Sequence, residues 1–532
     1  LGAATGTGQF GELNARATLR TSMEREHVQA FSATGEDFLV QRLRTLDAAG
    51  TLDDIESSDT DIRANGFMLN AGADFKNRYI FDGLVRHDGS SLFGPSERWQ
   101  TYFRVSGSYN IAEESWFNVA HVNDLVFRVA HGTAGTRPRF DQQYELWNVS
   151  RSAGLTRNSA GNSQLKPQFT TEQEFGVNAI LFGSQLSVEL VYARQETKDQ
   201  LIGLPVPTIS GFNTVIGNAG IVKGHIYEAT INTRLINRRD LSLSLALVAD
   251  RSGNQIVHWG RACFLGHTVA SELSNHEYSC AGESRGDFWG TRFIRAPDQL
   301  PAWLQGRASE FQVNDEGYLV WVGAGNTFRE GLSKQLWGTS FQANGTTYFW
   351  GEPLRLVDAN NIAAPILLGS SLPALNYGFT ANARYKNLSV YGEFRGQVGG
   401  KIYNRAKQAL YNQLRHGDLD QTGKPDELKK PIDYYQRALY AGNAFAESFL
   451  ENGTYLKVGA LTARYRFGRD LLTRVLRGAA PQDLSIGLTG RNLLTLTGYS
   501  GFDPEVGRAY SRVEELSYPQ LRTITATIDI TF

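Results

Sequence analysis

Apolar and polar residues alternate with a period of two along most of this chain, in segments of roughly ten residues. The C-terminus shows the pattern best, because Ile524, Ala526, Ile528, Ile530 and Phe532 fall on one face of an extended strand and mostly threonines fall on the other. Helical periodicity is scarce by comparison. The pattern predicts an all-β protein whose strands have one apolar and one polar face.

Two kinds of connection join these strands. Three junctions are short and polar, at residues 76–77, 182–184 and 386–387, where Gly or Asn favours the backbone of a tight turn. Residues 251–345 and 400–450 lack sustained alternation and contain many Gly, Asn and Asp residues, and the first of these segments also contains many Trp residues. Short turns at one end and long loops at the other are typical of a transmembrane antiparallel β-barrel, so we expect these two segments to be long extracellular loops.

Composition narrows the choice of protein class. The 532 residues include 53 Lys and Arg against 54 Asp and Glu, and this balance excludes the basic surface of a nucleic-acid binder. No stretch approaches the ~18 consecutive apolar residues of a membrane-spanning helix, whereas barrel strands need apolar residues only at alternate positions. A soluble sandwich or propeller would have strands of about five or six residues, or a fixed repeat. A membrane barrel fits better.

Motifs of enzyme chemistry are missing from the sequence. It contains no His-Glu-x-x-His zinc motif, no phosphate-binding Gly loop ending in Lys-Ser/Thr, and no nucleophilic Gly-x-Ser-x-Gly between a strand and a helix. The paired acids Glu113-Glu114 and Glu514-Glu515 are adjacent in sequence rather than facing each other, as expected of solvated loop charges. We therefore expect a protein that is not an enzyme.

Several segments resemble, in family order from about residue 64 onward, the signature of SusC/RagA-type TonB-dependent outer-membrane transporters. They are residues 86–95 (RHDGSSLFGP), 165–176 (LKPQFTTEQEFG), 197–199 (TKD), 211–212 (GF), 218–220 (NAG), 377–379 (YGF), 385–387 (YKN), 399–404 (GGKIYN), 453–457 (GTYLK), 492–495 (NLLT) and 501–505 (GFDPE). Residues 1–63 and 251–345 match this pattern poorly.

This resemblance implies energised import across the outer membrane of a Gram-negative bacterium. Such a protein captures its nutrient outside, with a SusD-like surface lipoprotein, and a plug inside the barrel is remodelled by TonB, ExbB and ExbD. The implied substrates are oligosaccharides, with oligopeptides as the second class, and the implied assembly is a dimer of transporter–lipoprotein pairs in outer-membrane lipid. A passive porin and a surface-adhesive β-protein remain alternatives. Neither a cofactor nor nucleic acid is expected.

The chain covers only part of what the resemblance implies. Roughly 14 to 16 strands are recognisable, whereas large transporters of this class close with about 22. Neither the plug nor a signal peptide is recognisable, and Leu1 is not an initiator Met. We therefore expect residues 1–532 to be the C-terminal part of the barrel, with the N-terminal plug outside this chain. A final aromatic residue, Phe532, is typical of barrels recognised by the outer-membrane assembly machinery.

Tryptophan is concentrated in and just after the first long loop, because residues 251–350 hold six of the nine residues of this type in the chain. Exposed indole rings can stack against sugar rings or anchor a partner protein. They could equally pack a small core within the loop. The candidate substrate-binding residues are Trp259, Trp289, Trp303, Trp321 and Trp337, and Trp350 lies just beyond them.

The two cysteines of the chain form the sharpest local motif. Cys263, His267, His276 and Cys280 have the residue types of a four-ligand zinc site. The cell surface is an oxidising environment, however, in which two cysteines normally form a disulfide. We predict a disulfide between Cys263 and Cys280, which would close a loop of roughly sixteen residues and stabilise it by about 3 kcal/mol.

A further candidate is a calcium site beginning at Asp418. Asp418, Asp420, Thr422 and Gly423 match the first half of a calcium-binding loop, in which alternating oxygen ligands surround the cation and Gly makes the turn. The twelfth position should be Glu and is Lys429. A polar turn is the alternative interpretation.

Overall fold

A computed structural model covers the chain. It describes residues 1–40, 42–43, 45–150, 154–212, 214–260, 264–266, 277–363, 365–440, 445–476, 481–507, 510–514, 516 and 518–531. The chain forms two compact units. One comprises Leu1–Leu181, Val191–His225 and Val257–Arg261, and the other comprises Phe182–Leu190, Ile226–Ile256 and Ala262–Phe532.

Strands dominate the structure from end to end, which confirms the all-β prediction. The strands up to residue 237 are β1 (Gly2–Phe10), β2 (Leu13–Phe38), β3 (Ala49–Phe75), β4 (Tyr79–Ser90), β5 (Trp99–Asn110), β6 (Val122–Thr136), β7 (Leu146–Ser150), β8 (Gly154–Ser159), β9 (Gln168–Leu181), β10 (Leu186–Lys198), β11 (Leu201–Pro205), β12 (Thr214–Asn218) and β13 (Ile221–Asn237).

The strands that follow alternate between long ones and short pairs within loops. They are β14 (Leu241–His258), β15 (Phe264–Gly266), β16 (Glu277–Ser279), β17 (Asp287–Gly290), β18 (Phe311–Val313), β19 (Leu319–Trp321), β20 (Ser340–Ala343), β21 (Thr346–Phe349), β22 (Ile366–Ser370), β23 (Leu375–Tyr385), β24 (Leu388–Val398), β25 (Lys401–Tyr403), β26 (Leu450–Asn452), β27 (Tyr455–Phe467), β28 (Asp483–Thr497) and β29 (Thr523–Thr531).

Helical segments are short. The α-helices are α1 (Ala302–Gln305), α2 (Arg405–Asn412) and α3 (Arg469–Leu476), and a π-helix spans Tyr434–Leu439. Single turns of 3-10 helix occupy Leu46–Ala48, Pro95–Glu97, Ile111–Glu113, Phe140–Gln143, Thr208–Ser210, Pro297–Gln299, Ala308–Glu310, Phe328–Glu330, Gly417–Leu419, Asp426–Leu428 and Glu447–Phe449. Within the described residues, no helix is long and apolar enough to cross a membrane.

Fifteen of the strands in the described residues are the wall strands, namely β1–β6, β9, β10, β13, β14, β23, β24, β27, β28 and β29. This number lies within the range expected from the sequence. In the first unit, β1 to β6 and then β9 pair in order as antiparallel neighbours. In the second unit, β14, β23, β24, β27, β28 and β29 pair in the same way.

The predicted tight turns are present. β3 and β4 are joined through Lys76 and Asn77, which have positive φ angles of 60° and 55°. β23 and β24 are joined through Lys386, with a φ of 50°. These compact connections fix the pairing of neighbouring strands, because a hairpin's register follows from its turn.

Pairing in the first unit separates an apolar from a polar face. Leu69 lies opposite Val85, and Val85 lies opposite Phe103. All three side chains point to the same side and are exposed, at 53 %, 52 % and 39 %. Three positions away on β4, and therefore on the other face, Asp82 lies opposite Ser106 and accepts a hydrogen bond from Arg104. An exposed apolar face backed by a polar one is the arrangement of strands in a membrane barrel.

The hairpin of β2 and β3 is longer than its neighbours. Within the described residues, β1 pairs with β2 only as far as Thr21, and β4 pairs with β3 only from Ala64 onward. Beyond these points the two strands pair only with each other, ending near the 3-10 turn at Leu46–Ala48. The result is a two-stranded ribbon that continues past the rest of this sheet at the end opposite its short turns.

In the second unit, the loops between the wall strands build hydrophobic cores of their own. One core includes Phe288, Tyr403, Tyr434 and Phe445, so it joins residues from both of the long loops predicted from the sequence. The second core includes Ile294, Leu304, Leu319, Val320, Trp321, Trp350 and Leu354. The loops of this unit are therefore packed substructures rather than extended connections.

Candidate functional site

The tryptophans predicted to bind substrate do not form one exposed platform. Trp321 is 8 % exposed and its Nε1 donates to Glu310 at 2.9 Å. Trp303 and Trp337 are partly buried against the same core, and Trp350 within that core is 2 % exposed. Trp321 and Trp350 therefore pack the interior of the loop and present no ring face to solvent.

The other two tryptophans lie outside this core. Trp259 follows β14 and lies against Gly220, where a Cβ would be 3.2 Å from its ring. Trp289 is partly buried on β17, whose backbone pairs with Leu367 at this position. A substrate-binding role for Trp259, Trp289, Trp303 or Trp337 stays a prediction.

The cysteine motif falls mostly outside the described residues. Cys280 is described and is disulfide-bonded. Cys263, His267 and His276 lie outside the described residues, as does the terminal Phe532. The pairing of Cys280 with Cys263 therefore stays a prediction from the sequence.

The candidate calcium ligands already have protein partners. Asp418 accepts a hydrogen bond from Tyr411 Oη at 2.5 Å, and Lys407 Nζ lies 3.3 Å from the same carboxylate. Asp420 accepts a hydrogen bond from the backbone N–H of Thr422 at 2.9 Å. In the described part of the chain, no three His, Cys, Asp or Glu residues are grouped as a metal site. A calcium site at Asp418 and Asp420 stays a prediction.

Side chains that the sequence did not single out as a site form a buried, highly charged cluster in the second unit. Lys457, on β27, is 1 % exposed, and its Nζ lies 2.6 Å from Asp503 and 2.8 Å from Glu505. Arg395, on β24, donates to Glu505 from Nε at 2.7 Å and from Nη2 at 3.2 Å. Tyr455 Oη also donates to Glu505, at 3.2 Å. We call these five residues the charge cluster.

The strands position the cluster through their register. Arg395 and Lys457 are opposite each other on β24 and β27, next to irregularities in pairing at Glu393/Phe394 and Val458/Ala460. Gly459, within the irregularity, has no side chain, and a Cβ there would lie 2.6 Å from Arg395 Nη1. Asp503 and Glu505 lie on the segment between β28 and β29. The cluster therefore connects the first part of that segment, residues 498–514, to two wall strands.

A cavity of about 290 Å³ adjoins the charge cluster. Its lining includes Asn376, Gln397, Tyr455, Glu505 and Arg512. Arg512 is 7 % exposed and donates from Nη2 to the carbonyl of Pro504, whereas its Nη1 has no hydrogen-bond partner among the described residues. Burial lowers the pKa of Arg512. The cavity thus offers buried polar groups able to bind a polar ligand or water.

The environment of Glu505 determines its charge. Burial raises the pKa of this carboxyl, but hydrogen bonds from Arg395 and Lys457, together with their positive charges, outweigh burial and lower the pKa to about 2. Glu505 is therefore ionised at neutral pH, when it binds two cations at once.

Acidification should release residues 498–514. The pKa of Glu505 falls from 4.5 to about 2 on folding, so its ionised form stabilises the attached segment above pH 4.5, and this contribution is lost as the pH falls from 4.5 to about 2. We expect hydrogen exchange of the backbone amides in this segment to accelerate across that window. In Glu505→Gln the acceleration should largely disappear, because the titrating group is gone. Identical pH profiles for the two proteins would contradict this role for Glu505.

Two of the segments that carried the family resemblance, residues 453–457 and 501–505, meet in the charge cluster. The sequence signal for the cluster was an unbalanced charge in each segment, Lys457 in one and Asp503 with Glu505 in the other. Their partnership could not be read from the sequence because 46 and 48 residues separate the lysine from the two acids. Arg395 and Arg512 had no such signal.

Comparison with known proteins gives consistent matches. Residues 4–493 match the family described as TonB dependent receptor-like, beta-barrel. TonB-dependent receptor P26 of Formosa agariphila is 23 % identical over 480 residues, which are 86 % of this chain and 45 % of that protein. TonB-dependent receptor SusC of Bacteroides thetaiotaomicron is 20 % identical over 493 residues, which are 86 % of this chain and 42 % of that protein.

A solved structure shows the same fold. The RagAB peptide importer in its closed-closed state superposes with a TM-score of 0.74 at 21 % sequence identity, over 100 % of this chain and 55 % of that chain. The chain spans about half the length of the curated relatives it matches. The superposition supports the antiparallel barrel fold predicted from the sequence.

Proposed function

The chain belongs to the TonB-dependent receptor-like β-barrel family, whose members are outer-membrane receptors and not enzymes, and from this membership we propose that it forms part of a SusC-like importer. The importer takes up a large polar nutrient, an oligosaccharide first and an oligopeptide second. TonB, with ExbB and ExbD, energises the uptake through a plug that the other half of the full-length protein supplies. A SusD-like lipoprotein covers the outer side, in a dimer of transporter–lipoprotein pairs.

The observation that carries this proposal is the division of the wall strands into two faces. The exposed apolar face, represented by Leu69, Val85 and Phe103, suits contact with lipid. The opposite face holds polar groups such as Asp82 and Arg104, which suit contact with water or a polar solute. A surface-adhesive protein in water would not be expected to expose such an apolar face, because large exposed apolar patches promote aggregation.

Two kinds of observation bear on the choice between the two substrate classes. Burial of Trp321 and Trp350 removes part of the argument for stacking against sugars. The structurally similar RagAB protein is a peptide importer, which supports the oligopeptide class. Oligosaccharide is retained as the first class because partly buried tryptophans, Trp303 and Trp337 among them, still line the edge of the loop core.

An uptake experiment tests the proposal. The full-length protein is produced in a Gram-negative host, and accumulation of labelled oligosaccharide and oligopeptide mixtures is compared with and without TonB. We expect uptake of one mixture to fall at least tenfold when TonB is absent. A passive porin would transport equally in both strains, and an adhesive protein would transport in neither, so either result would overturn the proposal.

A further inference from the structure

A second cavity, of about 380 Å³, lies within the loops of the second unit. One side is apolar and includes Ile294, Leu304 and Leu354, which are at most 6 % exposed and belong to the loop core. Because the core holds this side in place, the cavity has a fixed wall. Its volume is in the range of small-molecule binding sites, ~300–1,000 Å³.

The polar side of this cavity has one carboxylate and two guanidinium groups, those of Glu352, Arg355 and Arg437. Arg437 pairs closely with Glu352, contacts Asp433 at 3.3 Å, and lies 3.6 Å above the ring of Phe349. Burial raises the pKa of Glu352, and the bonds and charge of Arg437 oppose that rise. The carboxylate of Glu352 is thus already used by Arg437.

Arg355 has no such partner. In the part of the chain that the structure describes, its guanidinium makes one hydrogen bond, from Nη2 to the backbone carbonyl of Arg437 at 3.4 Å, and no carboxylate lies within ion-pair distance. Burial lowers the pKa of Arg355, and only the charge of Glu352 opposes this effect. A guanidinium has five N–H donors, so most of the donors of Arg355 remain for a ligand.

The backbone holds Arg355 at the cavity. Arg355 forms a β-bridge with Phe293, and the N–H of Ile294 donates to the carbonyl of Leu354 at 2.8 Å. Arg355 is half-buried, so its remaining donors are accessible to water or to a ligand. A carboxylate can replace that water through two parallel, charge-assisted hydrogen bonds.

We propose that this cavity binds the carboxylate of a ligand unit about the size of one sugar or amino acid, with Arg355 as the residue that pairs with it. The apolar wall contacts the carbon skeleton of the unit. Two sources have this chemistry, an acidic sugar within an oligosaccharide and the terminal or side-chain carboxylate of a peptide. The inference rests on the proposed function only in taking the ligand as part of the imported nutrient, since binding can be measured without transport.

Calorimetry on the full-length protein in detergent at pH 7 tests the site with two pairs of probes. Tetra-alanine with a free C-terminus is compared with its amide, and tetragalacturonate is compared with its methyl ester. We expect one acid to bind at least tenfold more tightly than its counterpart without the carboxylate, and which acid it is identifies the source. Absence of binding by both acids, or equal affinity of the counterparts, would overturn the proposal without any mutation.

Variants then assign the effect to Arg355. Arg355→Gln should lower affinity for the preferred acid at least tenfold, and Arg355→Lys, which keeps the charge but loses the planar fork, should lower it less. The matched control is Arg384→Gln, because Arg384 Nη2 also donates to a backbone carbonyl at 3.4 Å but lies outside the cavity. The affinity of the Arg384→Gln protein for the preferred acid should stay within twofold of that of the parent protein. Unchanged affinity in a folded Arg355→Gln protein would refute the carboxylate site but would not contradict the proposed TonB-dependent uptake.

Discussion

Replacing Lys457 by Met should destabilise the protein by about 3–5 kcal/mol, the usual cost of removing one partner from a buried ion pair. Lys457 is 1 % exposed and neutralises Asp503 and Glu505 together. Arg395 still pairs with Glu505 in the variant, but Asp503 loses its cation. The free energy of unfolding is measured by urea titration in detergent, with heat-modifiable gel migration as the signal for the folded barrel.

Two further variants separate the buried pair from a general loss of charge. Arg466 lies on the same strand as Lys457 and pairs with Asp483, but its side chain is 69 % exposed. Arg466→Met should therefore lower the free energy of unfolding by only about 1 kcal/mol or less. Adding Asp503→Asn to Lys457→Met should recover part of the lost stability, because the uncompensated carboxylate is removed. A Lys457→Met protein no less stable than Arg466→Met would show that the charge cluster does not hold the segment.

Replacing Val85 by Arg should block assembly of the barrel in the outer membrane. Val85 lies between Leu69 and Phe103 on the exposed apolar face of the first unit, and an arginine on the lipid side of a barrel costs about 2–4 kcal/mol near the middle of the bilayer. We expect most of the variant to be missing from the membrane fraction or to lack the heat-modifiable band. Quantitative immunoblotting of outer-membrane fractions measures the effect.

The control for this variant is Ser106→Arg, on the neighbouring strand β5. Ser106 belongs to the polar face and lies opposite Asp82, so a new guanidinium there meets a carboxylate rather than lipid. We expect Ser106→Arg to assemble at close to the parent level. Equal loss of both variants, or a greater loss of Ser106→Arg, would mean that the two faces have been assigned the wrong way round.

The sequence was most informative where structure depends on neighbouring residues. Alternation in Thr523–Thr531 predicted a strand because successive side chains of extended backbone must point to opposite faces. The turn at Lys76 and Asn77 was predictable because few residues accept a positive φ, and asparagine is one of them. Sequence segments in family order predicted the barrel family that residues 4–493 match.

Which face of each strand meets lipid depended on register, since a slip of one residue exchanges the two faces. Pairing of Val85 with Leu69 and Phe103 placed these three apolar side chains on one face of the sheet. The irregular pairing beside Gly459 placed Arg395 and Lys457 next to each other, and no local sequence pattern predicts such an irregularity.

By itself, then, the sequence determined the strands, the tight turns and the family, because each of these follows from the conformation of a few adjacent residues or from their identity. Only the tertiary structure decided that Lys457 meets Asp503 and Glu505, that Trp321 fills a loop core, and that no carboxylate of the described residues lies within ion-pair distance of Arg355. Such contacts join residues far apart in the chain. They form only where the free energy gained from burial and charge pairing exceeds the entropy cost of closing the intervening loops.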